Sequence, residues 1–235
     1  DHFEKFGKPL FSSHMLDLSA EDIDFNLSEC KRLLKRMAPI GMSLEIELGV
    51  TGGEEDGVGS DDDIGADNPL LYTQPEDCLR AWELLSPIGH FSLAASFGNV
   101  HGVYKPGNVK LRPEILKNSQ DLVEKTSGTV SKPLDLVFHG GSGSEKSKIT
   151  EAISYGVFKM NIDTDTQFAF SKAVGEYVKD NSKAFKHQID PEDGTPYKKQ
   201  YDPRKFLRAA EESMVERLDE AFLDLGSVGK TLATK

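Results

Sequence analysis

Apolar positions along this chain follow two rhythms that take turns. Leu44, Ile46 and Leu48 alternate with Glu45 and Glu47, the two-residue period of a strand with one apolar face and one carboxylate face. Ile23, Leu27, Cys30, Leu34 and Met37 recur instead at steps of four and three, which is one face of a helix. Read in this way, the pattern predicts strands near residues 10–18, 43–49, 91–97, 134–139 and 157–163. Helices are predicted between them. The first starts from an N-cap at Ser19 and ends at Pro39 and Gly41, and the second opens with a Thr73 and Glu76 capping box and stops at Pro87. The third carries Ile115, Ser119 and Leu122 on one face and stops near Gly128; the fourth spans 145–155 behind an N-cap at Ser144. A helix over 166–180, a polar excursion over 181–203 and a C-terminal helix over 204–226 complete the pattern. Residues 58–69, acidic and poor in apolar groups, read as a mobile surface loop, and Asp1-His2 as part of a surface helix rather than a catalytic pair.

Strand and helix in strict alternation predict a parallel sheet with helices outside it. Polar groups gather at the C-terminal end of each predicted strand. A (β/α)8 barrel builds its active site there, and a doubly wound open sheet also binds ligands there. Ligand-type residues come from all five strands rather than from one crevice, which favours the barrel.

Composition narrows the function classes. The 235 residues, 37% of them hydrophobic, supply a sizeable core, and the formal charge of −11 excludes non-specific nucleic-acid binding, which needs a basic face. No run is long and apolar enough to span a membrane and no signal peptide is visible, so a cytoplasmic location is expected. Cys30 and Cys78 fall on apolar helix faces and read as core packing.

The richest chemistry lies in His139-Gly140-Gly141-Ser142-Gly143-Ser144, between a predicted buried strand and a predicted helix start. Glycines let a backbone approach a ligand closely, and N–H groups at a helix start attract an anion. A histidine at the strand end adds a metal ligand or a base. His101, in Gly98-Asn99-Val100-His101-Gly102, occupies the equivalent place on the preceding strand, so the two can converge on one ion. Glu47 and Asp17, at the ends of neighbouring strands, are further or alternative ligands. A metal beside a phosphate cradle suits carbonyl polarisation and enediolate chemistry, with a loop carboxylate at Glu54-Glu55 moving protons.

Six ordered motifs now make the resemblance specific: Phe11-Ser12-Ser13-His14-Met15-Leu16-Asp17, Leu44-Glu45-Ile46-Glu47-Leu48-Gly49, Gly52-Gly53-Glu54-Glu55-Asp56-Gly57, Ala95-Ser96-Phe97-Gly98-Asn99-Val100-His101-Gly102, Phe138-His139-Gly140-Gly141-Ser142-Gly143 and Lys159-Met160-Asn161-Ile162-Asp163-Thr164. Together they resemble class II fructose-bisphosphate aldolases over nearly the whole chain. The resemblance implies reversible cleavage of fructose 1,6-bisphosphate to dihydroxyacetone phosphate and glyceraldehyde 3-phosphate, with Zn2+ as cofactor and K+ or Na+ near the phosphate. It implies that His101 and His139 are zinc ligands, that Glu47 and Asp17 belong to a buried or alternative metal site, and that Glu55 is the acid/base carboxylate. It further implies that Gly102, Gly140, Gly141, Ser142, Asn161, Ile162, Asp163 and Thr164 hold dihydroxyacetone phosphate, and that Arg204 reaches the other phosphate across a homodimer interface.

One departure matters. The family carries an Asp-His pair on an earlier strand, and Asp1-His2 lies one element too late to be that pair. The resemblance therefore implies a partial barrel, strands four to eight of eight, in which 1–235 is the C-terminal part of a single domain. It lacks the third zinc histidine and the base and is expected to be inactive alone. Three rival readings stand beside this one: a tagatose-bisphosphate aldolase of the same family, a Schiff-base aldolase using Lys159, and a metal-free phosphate-binding scaffold. Lys159 has a plainer reading as the charge partner of Glu45, Glu47 or Asp163.

Overall fold

The computed structural model describes residues 1–55, 58–59, 72–102 and 110–230, with 52–55 and 58–59 as backbone only. Two compact units result, residues 1–161 and 162–235. In the first, strands β1 (Ser13–Leu16), β2 (Ser43–Leu48), β5 (Phe91–Ala95), β7 (Leu136–Phe138) and β8 (Val157–Met160) form one sheet in that order, every neighbouring pair parallel. Helices α2 (Ile23–Met37), α3 (Pro75–Leu85), α4 (Glu114–Ser127) and α5 (Lys146–Ser154) make the four crossovers. All five predicted strands are present. The spatial order follows the chain order without reversal. A doubly wound sheet reverses at a switch point and a (β/α) barrel does not, so the barrel type of winding is the one observed.

Burial explains the strand sequences. A parallel sheet is covered on both faces, and β5 and β7 are buried along their whole length. On β2 the predicted alternation holds, yet the carboxylate face is as hidden as the apolar one: Ile46 is fully buried and Glu47 is 2% exposed. Phe97 and Phe138 meet edge to face with centroids 4.7 Å apart at the heart of this core.

Local chemistry shifts several predicted boundaries. Asp22, not Ser19, caps α2, its carboxylate accepting from the Asp24 N–H. Thr73 does not cap α3, which starts after Gln74; its hydroxyl donates to the Leu48 carbonyl and accepts from the Ser96 N–H, tying together the ends of β2 and β5. The buried face of α4 is Leu116, Ser119, Gln120 and Val123, one residue on from the predicted stripe, because the Gln120 side chain turns inward to bond Leu134 and Tyr155 backbone. Cys30 and Cys78 are fully buried, as expected, and burial pushes both thiols up to about 12. A five-residue helix, α1 (His2–Phe6), holds Asp1-His2 at the surface. No helix among the described residues is long and apolar enough to cross a membrane.

Beyond β2 the backbone continues into β3 (Gly52–Glu55), which pairs parallel with β6 (Val100–His101) and antiparallel with β4 (Val58–Gly59). Glu54 and Glu55 thus lie on a strand by their backbone, not in an irregular loop; their side chains lie outside the description. Of the predicted mobile loop, only residues 58–59 are described, and they are strand.

The second unit is an antiparallel helix pair, α6 (Thr164–Asp180) and α8 (Pro203–Asp224), with the short α7 (Lys198–Tyr201) between them. Asp165 bonds Arg217 at 2.8 Å and the Ala169 carbonyl accepts from Ser213 at 2.8 Å, which sets their direction. Tyr177, Phe185 and Phe206 form an aromatic cluster at the other end. The polar excursion folds on itself: Asp190 accepts from the Tyr197 hydroxyl and the Glu192 N–H, and Lys183 stands 3.6 Å away.

Two predictions arise here. Among the described residues β1 and β8 are the outer strands of the sheet, with Phe11 and Phe158 67% and 61% exposed nearby. Open edges template association, so the 235-residue chain should elute in size exclusion as species larger than a monomer. Phe158→Lys should shift it toward the monomer, and a monomeric parent would refute this. The second concerns pH. The Tyr197 hydroxyl, then the Glu192 amide, hold Asp190 down at about 2, below its free value of 3.8. A depressed carboxylate stabilises above its unfolded pKa and ceases to as pH falls through the folded one. The Glu192 amide should therefore keep its hydrogen-exchange protection at pH 5 and lose it between about 4 and 2, and Asp190→Asn should lack that transition.

Candidate active site

The C-terminal ends of the parallel strands meet around one buried imidazole. His139 follows β7 directly and is 5% exposed. Its Nδ1–H donates to Glu47 Oε2 and its Nε2–H to Glu45 Oε1, both at 2.9 Å. Glu45 and Glu47 stand two residues apart on β2, so the pleat brings both to the same face. Two buried carboxylates side by side need positive charge. The imidazolium supplies part of it, and the Lys159 ammonium on β8 donates to Glu45 Oε2 at 2.7 Å. Burial alone would push His139 down; the hydrogen bonds to Glu45 and Glu47 outweigh it and hold the ring at about 9. Burial pushes Glu45 up, and its hydrogen bonds from His139 and Lys159 more than reverse that.

A second layer of polar groups locks the arrangement. The Thr51 hydroxyl donates to Glu47 Oε1 at 2.8 Å, and the Ser96 hydroxyl donates to the Gly49 carbonyl at 2.9 Å. Asn99, 1% exposed, accepts from the Phe97 N–H and donates to the His139 carbonyl at 2.9 Å, so it fixes the turn after β5 to the turn after β7. Thr51, Ser96 and Asn99 escaped the sequence reading. For Asn99 a signal existed: asparagine after glycine in a strand-end turn commonly bonds nearby backbone.

His101, at the end of β6, faces His139 with ring centroids 6.2 Å apart. The turn after His139 packs directly against that strand. Gly140 has φ +60°, and a Cβ there would lie 2.3 Å from the Val100 carbonyl oxygen, so only glycine fits. Gly141 donates to the Asn161 carbonyl at 3.0 Å, and Ser142 is buried. Ser144 is not the N-cap of α5, a place taken by Glu145; its hydroxyl is buried without a hydrogen-bond partner among the described residues.

The expected site residues are therefore only partly assembled. His101, His139, Glu47, Gly102, Gly140, Gly141, Ser142 and Asn161 sit on neighbouring strand ends of the first unit. Asp17 does not join them: it is exposed just past β1, its carboxylate accepting from the Ser19 N–H at 2.9 Å. The Glu55 side chain lies outside the described residues. Ile162, Asp163, Thr164 and Arg204 belong to the second unit. There Asp163 and Thr164 open α6, and Arg204, 87% exposed, forks onto Asp202. Among the described residues no three His, Cys, Asp or Glu side chains already converge to hold a metal. His139, with both ring nitrogens committed to Glu45 and Glu47, offers a lone pair only as a neutral ring; in that form it and His101 are the ligand type that a zinc ion takes. Lys159, committed to Glu45, matches its reading as a charge partner.

Comparison with known proteins agrees with this geometry. The family model described as fructose-bisphosphate aldolase class-II matches residues 1–230. The fructose-bisphosphate aldolase of Campylobacter jejuni is 58% identical over 228 residues, covering 95% of this chain and 64% of the relative. The class 2 enzyme of Escherichia coli K12 is 53% identical over 230 residues, covering 97% and 63%. The crystal structure of the Campylobacter jejuni enzyme superposes with a TM-score of 0.83 at 54% identity, covering 98% of this chain and 65% of that one. The chain thus spans slightly less than two thirds of these relatives. With a parallel sheet wound in one direction and a histidine–carboxylate cluster at its strand ends, the chain belongs to the class II fructose-bisphosphate aldolase family.

Proposed function

We propose that this chain is the zinc-binding and phosphate-holding part of an enzyme that reversibly cleaves fructose 1,6-bisphosphate into dihydroxyacetone phosphate and glyceraldehyde 3-phosphate. The observation that carries the reading is His139, held between Glu45 and Glu47 and facing His101 above the Gly140–Gly141 turn. His101 and His139 would hold the zinc, with Glu47 as the acidic position of a buried or alternative site. Zinc, when bound, supplies Lewis-acid polarisation of the ketone oxygen. The chain's own residues do the rest. Gly102, Gly140, Gly141, Ser142 and the run Asn161 to Thr164 hold the phosphate of dihydroxyacetone phosphate, with K+ or Na+ assisting. That remote grip turns binding energy into orientation of the reacting carbons. Glu55 moves the proton. Arg204 reaches the second phosphate across a homodimer interface, and the enzyme works in the cytoplasm. Lys159, paired with Glu45, is not the free amine that an imine mechanism needs.

The decisive experiment joins this chain to the part of the Campylobacter jejuni relative that it does not cover, and assays both fructose and tagatose 1,6-bisphosphate. The chimera should cleave the fructose ester with zinc present and lose activity to a chelator. A zinc-loaded, folded chimera without aldol cleavage would overturn the reading.

Two substitutions in the chimera test single roles. His101→Ala and His139→Ala should each remove the tightly bound zinc equivalent, measured by elemental analysis; full zinc in both variants would falsify the ligand assignment. Glu55→Gln should lower turnover by roughly 10²–10⁴-fold while zinc content and substrate affinity stay near the parent's. Loss of zinc instead would move Glu55 from proton transfer to metal binding.

A further inference from the structure

Three other passages of the chain meet on residues 96–101, the link that runs from β5 into β6. The strand that carries Glu55 leaves along it, with Gly52 opposite Val100 and Gly53 opposite His101. The same chain comes back to it at Tyr72 and Thr73. Tyr72 bridges antiparallel to Phe97, and the Thr73 N–H donates to the Ser96 carbonyl at 2.7 Å. The chain beyond His101 returns to it as well. The Arg112 N–H donates to the Phe97 carbonyl at 2.8 Å, and a Cβ on Gly98 would lie 2.2 Å from the Lys110 carbonyl oxygen. The two returns then grip each other. The Arg112 guanidinium lies over the Tyr72 ring, 4.4 Å from its centroid, and the Tyr72 hydroxyl stands 3.5 Å from the Lys110 carbonyl oxygen.

β6 has a second hold on the sheet, because Asn99 Nδ2 donates to the His139 carbonyl and Gly140 packs against Val100. β3 relies more heavily on this link. Among the described residues its strand partners are β4 and β6, and its next downstream tie to the five-stranded sheet is at Tyr72 and Thr73. Tyr72 is 8% exposed, so its ring is largely out of water, where a cation over an aromatic face gains most. We infer that Tyr72 and Arg112 are positioning residues: their stacked contact fixes the two returns to each other across Phe97. It thereby sets β3, and with it Glu55, against β6 and Gly102. Both act through the backbone of residues 96–101. The pair rests on the proposed function only in what it positions, since Glu55 is there the proton carrier. A contact that merely stabilised the fold would change the amount of folded protein and leave turnover per folded molecule alone.

The test places Arg112→Met, Arg112→Lys, Tyr72→Leu and Tyr72→Phe in the chimera described above. Arg112→Met keeps an unbranched stem and removes the charge; Tyr72→Phe keeps the ring and removes the hydroxyl. In Arg112→Met and Tyr72→Leu, kcat should fall roughly 5–30-fold, the weight of a partly desolvated cation–π contact, with KM and zinc content near the parent's. Arg112→Lys and Tyr72→Phe should recover most of that loss. The double variant Tyr72→Leu, Arg112→Met should be no slower than either single one, as two halves of one contact require. A second measurement needs no reaction and uses the 235-residue chain. There the amides of Gly52–Glu55 should exchange hydrogen roughly 5–30-fold faster in Arg112→Met, while those of Leu136–Phe138 stay unchanged. An unchanged kcat in Arg112→Met, a loss that falls on KM or zinc, additive losses in the double variant, or exchange that rises equally in both strands would each overturn the assignment. A chimera without aldol cleavage would defeat the proposed function, and the exchange measurement would still decide whether the clasp holds β3.

Discussion

Two carboxylates on one strand, removed from water, are the demand around which the first unit is built. Glu45 and Glu47 fall on the same face of β2 because of the pleat alone. Leaving either uncompensated in that interior would cost several kcal/mol in effect. The fold answers with groups from three other places: the His139 ring at the end of β7, the Lys159 ammonium on β8, and the Thr51 hydroxyl just past β2. Each can reach only if the strands lie in the order observed and in parallel, so that their ends come together. Charge compensation and strand order are therefore one constraint.

Tight backbone passages follow from the same demand. For His139 to reach β2, the turn behind it must run against Val100, which leaves no space for a methyl group at Gly140. Asn99 then binds the two turns together through the His139 carbonyl. Glycine and asparagine here are what let two chain segments pass close enough for a histidine to sit between carboxylates.

Much of this was legible beforehand, for definable reasons. Period-two and period-3.6 patterns placed all five sheet strands and their helices, since both report burial on a face. The pairing of Glu45 and Glu47 announced a cation requirement, and Lys159 was a named candidate to meet it. What the pattern could not show was which small polar groups turn inward. Ser19 and Asp22 are both good caps, and only the three-dimensional path of the chain selects Asp22. Thr73 looks like half of a capping box, but the ends of β2 and β5 come near enough to claim its hydroxyl for both. Asp17 carries the right chemistry at a strand end, yet the turn to Ser19 satisfies its carboxylate locally. In each case sequence shows a side chain's capacity to bond, and tertiary distance decides the partner.

The buried thiol of Cys30 is tied to this arrangement through a single amide. Cys30 Sγ donates to Asn26 Oδ1 at 3.2 Å, and Asn26 Nδ2 donates to the backbone carbonyl of Glu47 at 3.0 Å. A thiol that burial holds at about 12 presents almost no thiolate to an alkylating reagent at neutral pH. Modification must therefore wait until α2 lifts away from the end of β2, the same backbone that presents Glu47. The chain thus carries a built-in chemical clock: the rate at which Cys30 accepts a label counts how often the floor beneath the carboxylate pair comes apart.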